Sequence, residues 1–276
     1  MKRAPGAAFL SLLVVGSPAF GQWERVRNES FPRTANGEPD LTAPAPRSAD
    51  GEPDLSGVWL TDSDPAPEGI QTVEGDLPFP RHMIDIAADL KPEEVQLLPW
   101  AAELFDRRRK EGTEAPIAYC KPTGVPWLTA IPLPYKIVQT SDWIGILYEE
   151  NTVFRQIFLD GREPVDDPLP RWMGYSTGSW EGEELLVETT GLTEESWIDG
   201  IGHPHSASMR VLERFRRPDA GHLEIEITID DPGAYAHPIT YALTATATPD
   251  DDLLEYFCTE NEKSSAHYYQ EPGPAQ

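Results

Sequence analysis

Leu223-Glu224-Ile225-Glu226-Ile227-Thr228-Ile229 alternates apolar and polar residues without a break. Successive side chains of a strand point to opposite faces, so the four aliphatic residues share a dry face while the others meet water. A helix would spread the same residues around its axis, so this stretch reads as a half-buried strand. The pattern extends outward on both sides. Upstream, Met209, Val211, Glu213 and Phe215 share one face, with Arg210, Leu212, Arg214 and Arg216 opposite. Downstream, 239–246 and 253–258 read as strands, set apart by Asp231-Pro232-Gly233 and Pro249-Asp250. Earlier segments 135–139, 143–149, 153–159, 172–180 and 185–190 follow the same rhythm, with turns at Asp160-Gly161 and Glu181-Gly182. Short strands at a spacing of roughly ten residues with turn dipeptides between them predict an all-β, mainly antiparallel barrel or sandwich.

Two charges break the alternation. Glu213 falls on an otherwise apolar face, and Arg155 shares the face of Val153, Ile157 and Leu159. An inward charge must be paired or must line a polar cavity.

The strands are preceded by one helical insertion, predicted over residues 90–111. Pro92 suits a first turn, Glu93 and Glu94 favour the positive helix end, and Arg107-Arg108-Arg109-Lys110 favours the negative end before Gly112. Its apolar face, with Trp100, Leu104 and Phe105, predicts packing across a barrel mouth or flank.

Residues 1–21 read as a secretory signal, with Lys2 and Arg3 before an apolar run too short to span a bilayer and small residues at the exit. This predicts a periplasmic or secreted protein with no membrane span after cleavage. Residues 22–54 are rich in Pro, Gly and acids and read as an extended tether or strap. Within them Gly37-Glu38-Pro39-Asp40-Leu41-Thr42 returns as Gly51-Glu52-Pro53-Asp54-Leu55-Ser56. The barrel domain is expected over 55–265, with a disordered tail over 266–276. In an oxidising compartment Cys120 and Cys258 are expected to form a disulfide, and two separate buried thiols are the alternative. A formal charge of −25 repels phosphate backbones and anionic lipids, which argues against nucleic-acid partners.

The richest chemistry lies in Trp197-Ile198-Asp199-Gly200-Ile201-Gly202-His203-Pro204-His205-Ser206, a Gly- and Pro-broken loop between two strands. One reading makes His205 an acid–base group oriented by Asp199 or Glu213, with Arg210 or Arg155 stabilising negative charge. A second places a divalent metal on His203, His205 and Asp199, leaving an open position for water. Other histidines, His82 among them, could reach the loop only through folding. Trp197, His203, Arg155, Arg162 and Tyr175 are the expected substrate contacts. Gly174-Tyr175-Ser176-Thr177-Gly178 matches a nucleophile-elbow pattern, but it runs into the Glu181-Gly182 hairpin rather than a helix, which argues against a serine nucleophile.

Gly57-x-Trp59 at the head of the β domain resembles the first-strand signature of lipocalins, a likeness that implies a tryptophan closing one barrel end. Longer segments resemble a large set of exported bacterial proteins. They include Phe154-Arg155-Gln156-Ile157-Phe158-Leu159-Asp160-Gly161-Arg162, Val187-Glu188-Thr189-Thr190-Gly191, Pro204-His205-Ser206 and Glu213-Arg214-Phe215-Arg216-Arg217. The likeness spans roughly residues 50–265, carries no activity with it, and singles out His205, Asp160 and Arg162. The expectation is a calycin-like β-barrel with a helical insertion. Its function would be that of an enzyme of lyase, isomerase or hydrolase type acting on a small organic or sugar-like molecule. The alternative is a carrier of an apolar small molecule.

Overall fold

A ring with an odd number of strands cannot alternate direction all the way round, so one neighbouring pair must run parallel. The computed structural model, which describes residues 27–63, 80–111, 115–165 and 168–259, is such a ring. Its strands are β1 Gly57–Thr61, β2 Tyr135–Gln139, β3 Trp143–Tyr148, β4 Phe154–Phe158, β5 Tyr175–Glu181, β6 Glu184–Thr190, β7 Arg210–Arg216, β8 His222–Asp230 and β9 Ile239–Ala247. They close in sequence order, β9 pairing back onto β1. The parallel seam is β4–β5, held by only Ile157↔Ser176 and Phe158↔Thr177. All other neighbours are antiparallel, so the expected all-β barrel with a helical insertion is the fold.

The opening strand behaves as its alternation requires: Leu223, Ile225, Ile227 and Ile229 are buried, while Glu224 and Glu226 are exposed. Outward arginines are met by acids across the ladder, Arg216 by Glu224 at 2.7 Å and Arg214 by Glu184 at 2.9 Å. No helix among the described residues is long and apolar enough to cross a membrane.

One barrel end is closed from below. Trp59 is fully buried, its indole N–H donates to the Leu55 carbonyl at 3.0 Å, and the Arg217 guanidinium lies 4.8 Å above its ring. Arg217 also donates to the backbone carbonyls of Asp54, Ser56, Asp219 and Ala220. Burial lowers its pKa to about 10, against the opposing charges of Asp54 and Asp219. The repeated segment supports this end, and its likeness extends upstream to Pro32 and Pro46. Both copies fold alike: Thr34 N–H donates to Glu38 O and Ser48 N–H to Glu52 O, each at 2.9 Å. Arg33 and Arg47 each donate to the carbonyl of a left-handed glycine, Gly37 or Gly51. Of the expected tether, the described part is thus a strap of two tight loops lying on the barrel.

The other mouth is roofed. Helix α1 (Arg81–Ile84), helix α2 (Pro99–Glu111), a 3-10 turn over Trp127–Ala130 and the loop after β6 meet there. The helix begins at Pro99, not at residue 90. Proline is preorganised for a first helical position, whereas Pro92 sits in an isolated turn that the chain leaves before Pro99. Residues 253–258 form no strand. Closure of β9 onto β1 leaves no free edge, and this segment lies largely exposed on the surface. It is held by Thr152 against Tyr256 and by the Cys120–Cys258 disulfide, so the expected bridge is present. The signal segment and the tail 266–276 lie outside the described residues.

Candidate functional site

Two clusters of buried polar groups occupy the roofed half of the barrel. The first is inside the wall. Glu213 on β7 and Arg155 on β4 both point inward with fully buried side chains, and they pair with each other. Nη1 of Arg155 donates to Glu213 Oε1 at 3.0 Å, and Nη2 donates to Oε2 and, at 2.7 Å, to the Thr189 hydroxyl. Nε donates to Ser176 Oγ at 3.1 Å, and Ser176 and Thr189 lie 2.8 Å apart. Burial alone would lower the Arg155 pKa, but the Glu213 charge and hydrogen bonds outweigh it and hold the guanidinium above its ordinary value. Ser176 therefore serves the ion pair from the start of β5, and among the described residues no histidine bonds to its hydroxyl. Tyr135, Tyr148 and Tyr241 complete this interior, their phenols raised above the usual range chiefly by burial.

The second cluster is in the roof. Asp199 is fully buried, and its Oδ1 accepts from Gly202 N–H and His203 N–H, both at 3.0 Å. Its Oδ2 accepts from Ile86 N–H at 2.9 Å and lies 2.5 Å from His203 Nδ1. The sequence makes this turn possible because Gly202, at φ +96°, occupies a left-handed conformation that side chains resist. A Cβ there would also stand 3.1 Å from the Arg108 side chain and 3.2 Å from Trp197. Helix α2 presses on the loop with one face: Phe105 stacks on His203 at 4.2 Å, and Arg108 lies 4.8 Å over Trp197. Trp197 in turn stacks with Trp127 at 6.5 Å. Gly200 and Ile201 donate backbone bonds to Met83 and Ile84, so the loop and α1 are stitched together.

The structure separates residues that the sequence reading had joined. His203, not His205, meets Asp199. His205 Nδ1 faces the Ser206 carbonyl at 3.0 Å, which can only accept, so Nδ1 carries the proton in the neutral ring. Its Nε2 lies 2.8 Å from Ser196 Oγ. Burial lowers its pKa, and neither Asp199 nor Glu213 bonds to it. Glu213 is committed to Arg155 rather than to a histidine. Arg210 is on the outer face, paired with Asp230 and Glu188. Arg162 and Tyr175 also lie outside, Arg162 stacked 3.9 Å over Phe158 and chelated by Asp160. Arg162 borders an outer cleft of about 640 Å³ that runs over β5 to β8, and Tyr175 borders a separate one beside Phe154 and Trp172.

For a metal, the ligand set changes. Asp85, Asp199 and His203 bring one ligand atom each within 4.8 Å of one another, and His205 is not among them. Asp199, however, already accepts four hydrogen bonds, the full complement of a carboxylate. That leaves it better suited to orient an imidazole than to ligate an ion.

Sequence reading missed Asp85, Phe105, Ser196 and the three barrel tyrosines. His82 is not in the Asp85, Asp199 and His203 cluster; its ring lies 4.8 Å from that of Tyr241 and its Nε2 3.3 Å from Asp89 Oδ2. Tyr241 links the two clusters, since after burial the charges of Glu213 and Asp199 both raise its pKa. The tyrosines carried a signal: Tyr135, Tyr148 and Tyr241 each sit at an inward position of their strand's alternation. No family model matches this chain, and neither the curated proteins nor the solved structures contain a match to it.

Proposed function

We propose that this barrel is an exported enzyme that moves a proton on a small organic molecule beneath its roof. His203 is the acid–base group, Asp199 its orienting partner. The observation that carries the reading is the buried 2.5 Å contact between Asp199 Oδ2 and His203 Nδ1. A carboxylate fixed by three backbone N–H groups holds the imidazole in one tautomer and stabilises its charged form, leaving Nε2 to exchange protons with a substrate. Phe105 against the ring limits its rotation and excludes water from one side. A divalent ion on Asp85, Asp199 and His203 is the metal-assisted form of the same proposal, and the saturated Asp199 carboxylate favours the metal-free form.

The experiment screens purified protein from which the signal has been removed against aryl esters, lactones, aryl glycosides and enolisable ketones, beside His203→Gln. General acid–base catalysis contributes roughly 10²–10⁴-fold, so turnover of at least one class should fall by about that factor in the variant. Equal rates for the two proteins across the panel would overturn the proposal.

A further inference from the structure

The parallel seam leaves a gap in the wall. β4 and β5 pair only at Ile157↔Ser176 and Phe158↔Thr177, so Phe154 to Gln156 have no register partner in the segment that leads into β5. A cleft of about 390 Å³ lies at this gap, with Phe154, Phe158, Trp172, Tyr175 and Arg171 in its lining. Phe154 is 60% exposed, the most open aromatic side chain among the described residues. The Phe158 and Tyr175 rings lie 5.4 Å apart. Single exposed apolar residues are ordinary, but several aromatic rings around one cleft mark a binding surface. The turn that carries Arg171 and Trp172 is held firmly. Gly174 N–H donates to the Arg171 carbonyl at 3.3 Å, and Arg171 N–H donates to the Gly191 carbonyl at 2.9 Å. Gly174 closes the turn at φ +60°, where a Cβ would stand 2.6 Å from the Thr190 carbonyl oxygen.

We propose that this cleft binds a free small aromatic carboxylate, its ring against the aromatic lining and its carboxylate accepting from the Arg171 guanidinium. The charge pattern selects the class. The chain carries 47 acidic and 22 basic residues, and its outward arginines are mostly committed: Arg162 to Asp160, Arg210 to Asp230, Arg214 to Glu184 and Arg216 to Glu224. Arg171 has no ion pair and no side-chain hydrogen bond among the described residues, and no acidic residue among them lines the cleft. Lys121, 5.9 Å from the Trp172 ring, is already paired with Glu195 at 2.6 Å. The cleft thus offers one spare cation and no countercharge for a cationic ligand. A guanidinium presents a planar fork that matches a carboxylate, and aromatic rings favour offset or edge contact with another ring. The volume falls within the range of small-molecule sites, roughly 300–1,000 Å³. Neither Asp199 nor His203 lines the cleft, so this inference stands apart from the proposed proton transfer.

The test titrates 2-naphthoate into the protein freed of its signal segment and follows binding by ligand-detected NMR. The uncharged counterpart is 2-naphthamide, and the non-aromatic one is cyclohexanecarboxylate. Naphthoate should bind with millimolar affinity or better, about fivefold tighter than either counterpart, the scale of one exposed charge pair or one ring contact. Arg171→Gln should weaken naphthoate roughly fivefold, to the level of naphthamide, and leave naphthamide unchanged. Phe154→Ala should weaken both naphthyl probes by the same factor. Both side chains are exposed, so both variants should keep the parent melting temperature, which separates lost binding from lost fold. Raising salt from about 20 to about 500 mM should weaken naphthoate alone. Absence of naphthoate binding at millimolar concentration would overturn the inference. Binding untouched by both variants would place the ligand elsewhere and overturn it too, as would equal affinities for naphthoate and naphthamide in the unmodified protein. His203→Gln should leave naphthoate binding intact while turnover is lost, so the two readings can fail independently.

Discussion

Glu213→Gln should be among the most damaging single substitutions in the barrel, and the reason lies in Arg155. Arg155 has a fully buried side chain, and among the described residues Glu213 supplies its only ion-pair partner, through two hydrogen bonds. Glutamine keeps the shape but removes the charge, leaving a cation in the interior with two hydroxyls for company. Stranding one member of a buried pair costs roughly 3–5 kcal/mol. For a domain of this size that corresponds to a fall of about 10 °C in Tm. Arg155→Met should cost a similar amount by stranding the carboxylate. The double variant Arg155→Met, Glu213→Leu should recover most of the loss, because an apolar replacement removes both charges and Ser176 and Thr189 still bond to each other at 2.8 Å. Urea unfolding with linear extrapolation reads all three, and unchanged m-values would show that the comparison is between like states. A loss below about 1 kcal/mol for Glu213→Gln would mean that the guanidinium is hydrated, and the reasoning about a dry interior would fail.

Three further outcomes follow from local geometry. Glu150 is buried with Oε2 unpartnered among the described residues, and burial pushes its carboxyl up to about 7, with the Asn151 hydrogen bond opposing. Its folded pKa lies above its unfolded value, so its contribution is complete below about 4.5 and is lost as pH rises to 7. Glu150→Gln should remove that fall, worth roughly 3 kcal/mol, in a comparison of urea midpoints across the window; parallel profiles for the two proteins would refute it. Replacing Cys120 and Cys258 by serine opens a link between residues 138 apart in sequence, which chain entropy values at about 5 kcal/mol. An unchanged melting temperature in the double-serine protein would contradict that value. Gly202→Ala meets both a φ of +96° and the Arg108 and Trp197 side chains, so it should cost roughly 1–3 kcal/mol. It should also alter the near-ultraviolet circular dichroism of the stacked tryptophans, and an unaltered spectrum at full stability would show the turn to be tolerant.

The parts of this fold that were readable from sequence are those set by period. Residues 209–216, 223–229 and 239–246 alternate cleanly because one face of each strand meets solvent, and the inward Arg155 and Glu213 stood out as breaks in that pattern. Leu253 to Cys258 is a short, mostly apolar run bounded by a turn, as a strand would be, yet a strand needs a free edge, and whether β9 closes on β1 is a property of the whole ring. Pro92, Glu93 and Glu94 look like a first helical turn, but Pro99 cannot continue a helix begun before it and instead starts one. The site loop was located correctly while its partners were not. His203 and His205 are two residues apart, and what assigns Asp199 to the former is a turn closed by Gly202 and a bond from Ile86, far upstream. That Tyr135, Tyr148 and Tyr241 share the barrel interior depends on strand order, which no local pattern carries.

The proposed chemistry needs Asp199 to set the proton of His203, and ¹⁵N-imidazole NMR reads that directly. In the neutral ring the proton should reside on Nδ1, against Asp199, with Nε2 bare. Asp199→Asn can turn its amide N–H toward the ring, and the proton should then move to Nε2. A neutral His203 protonated on Nε2 in the unmodified protein, or a tautomer indifferent to Asp199→Asn, would contradict the assignment of His203 as the acid–base group.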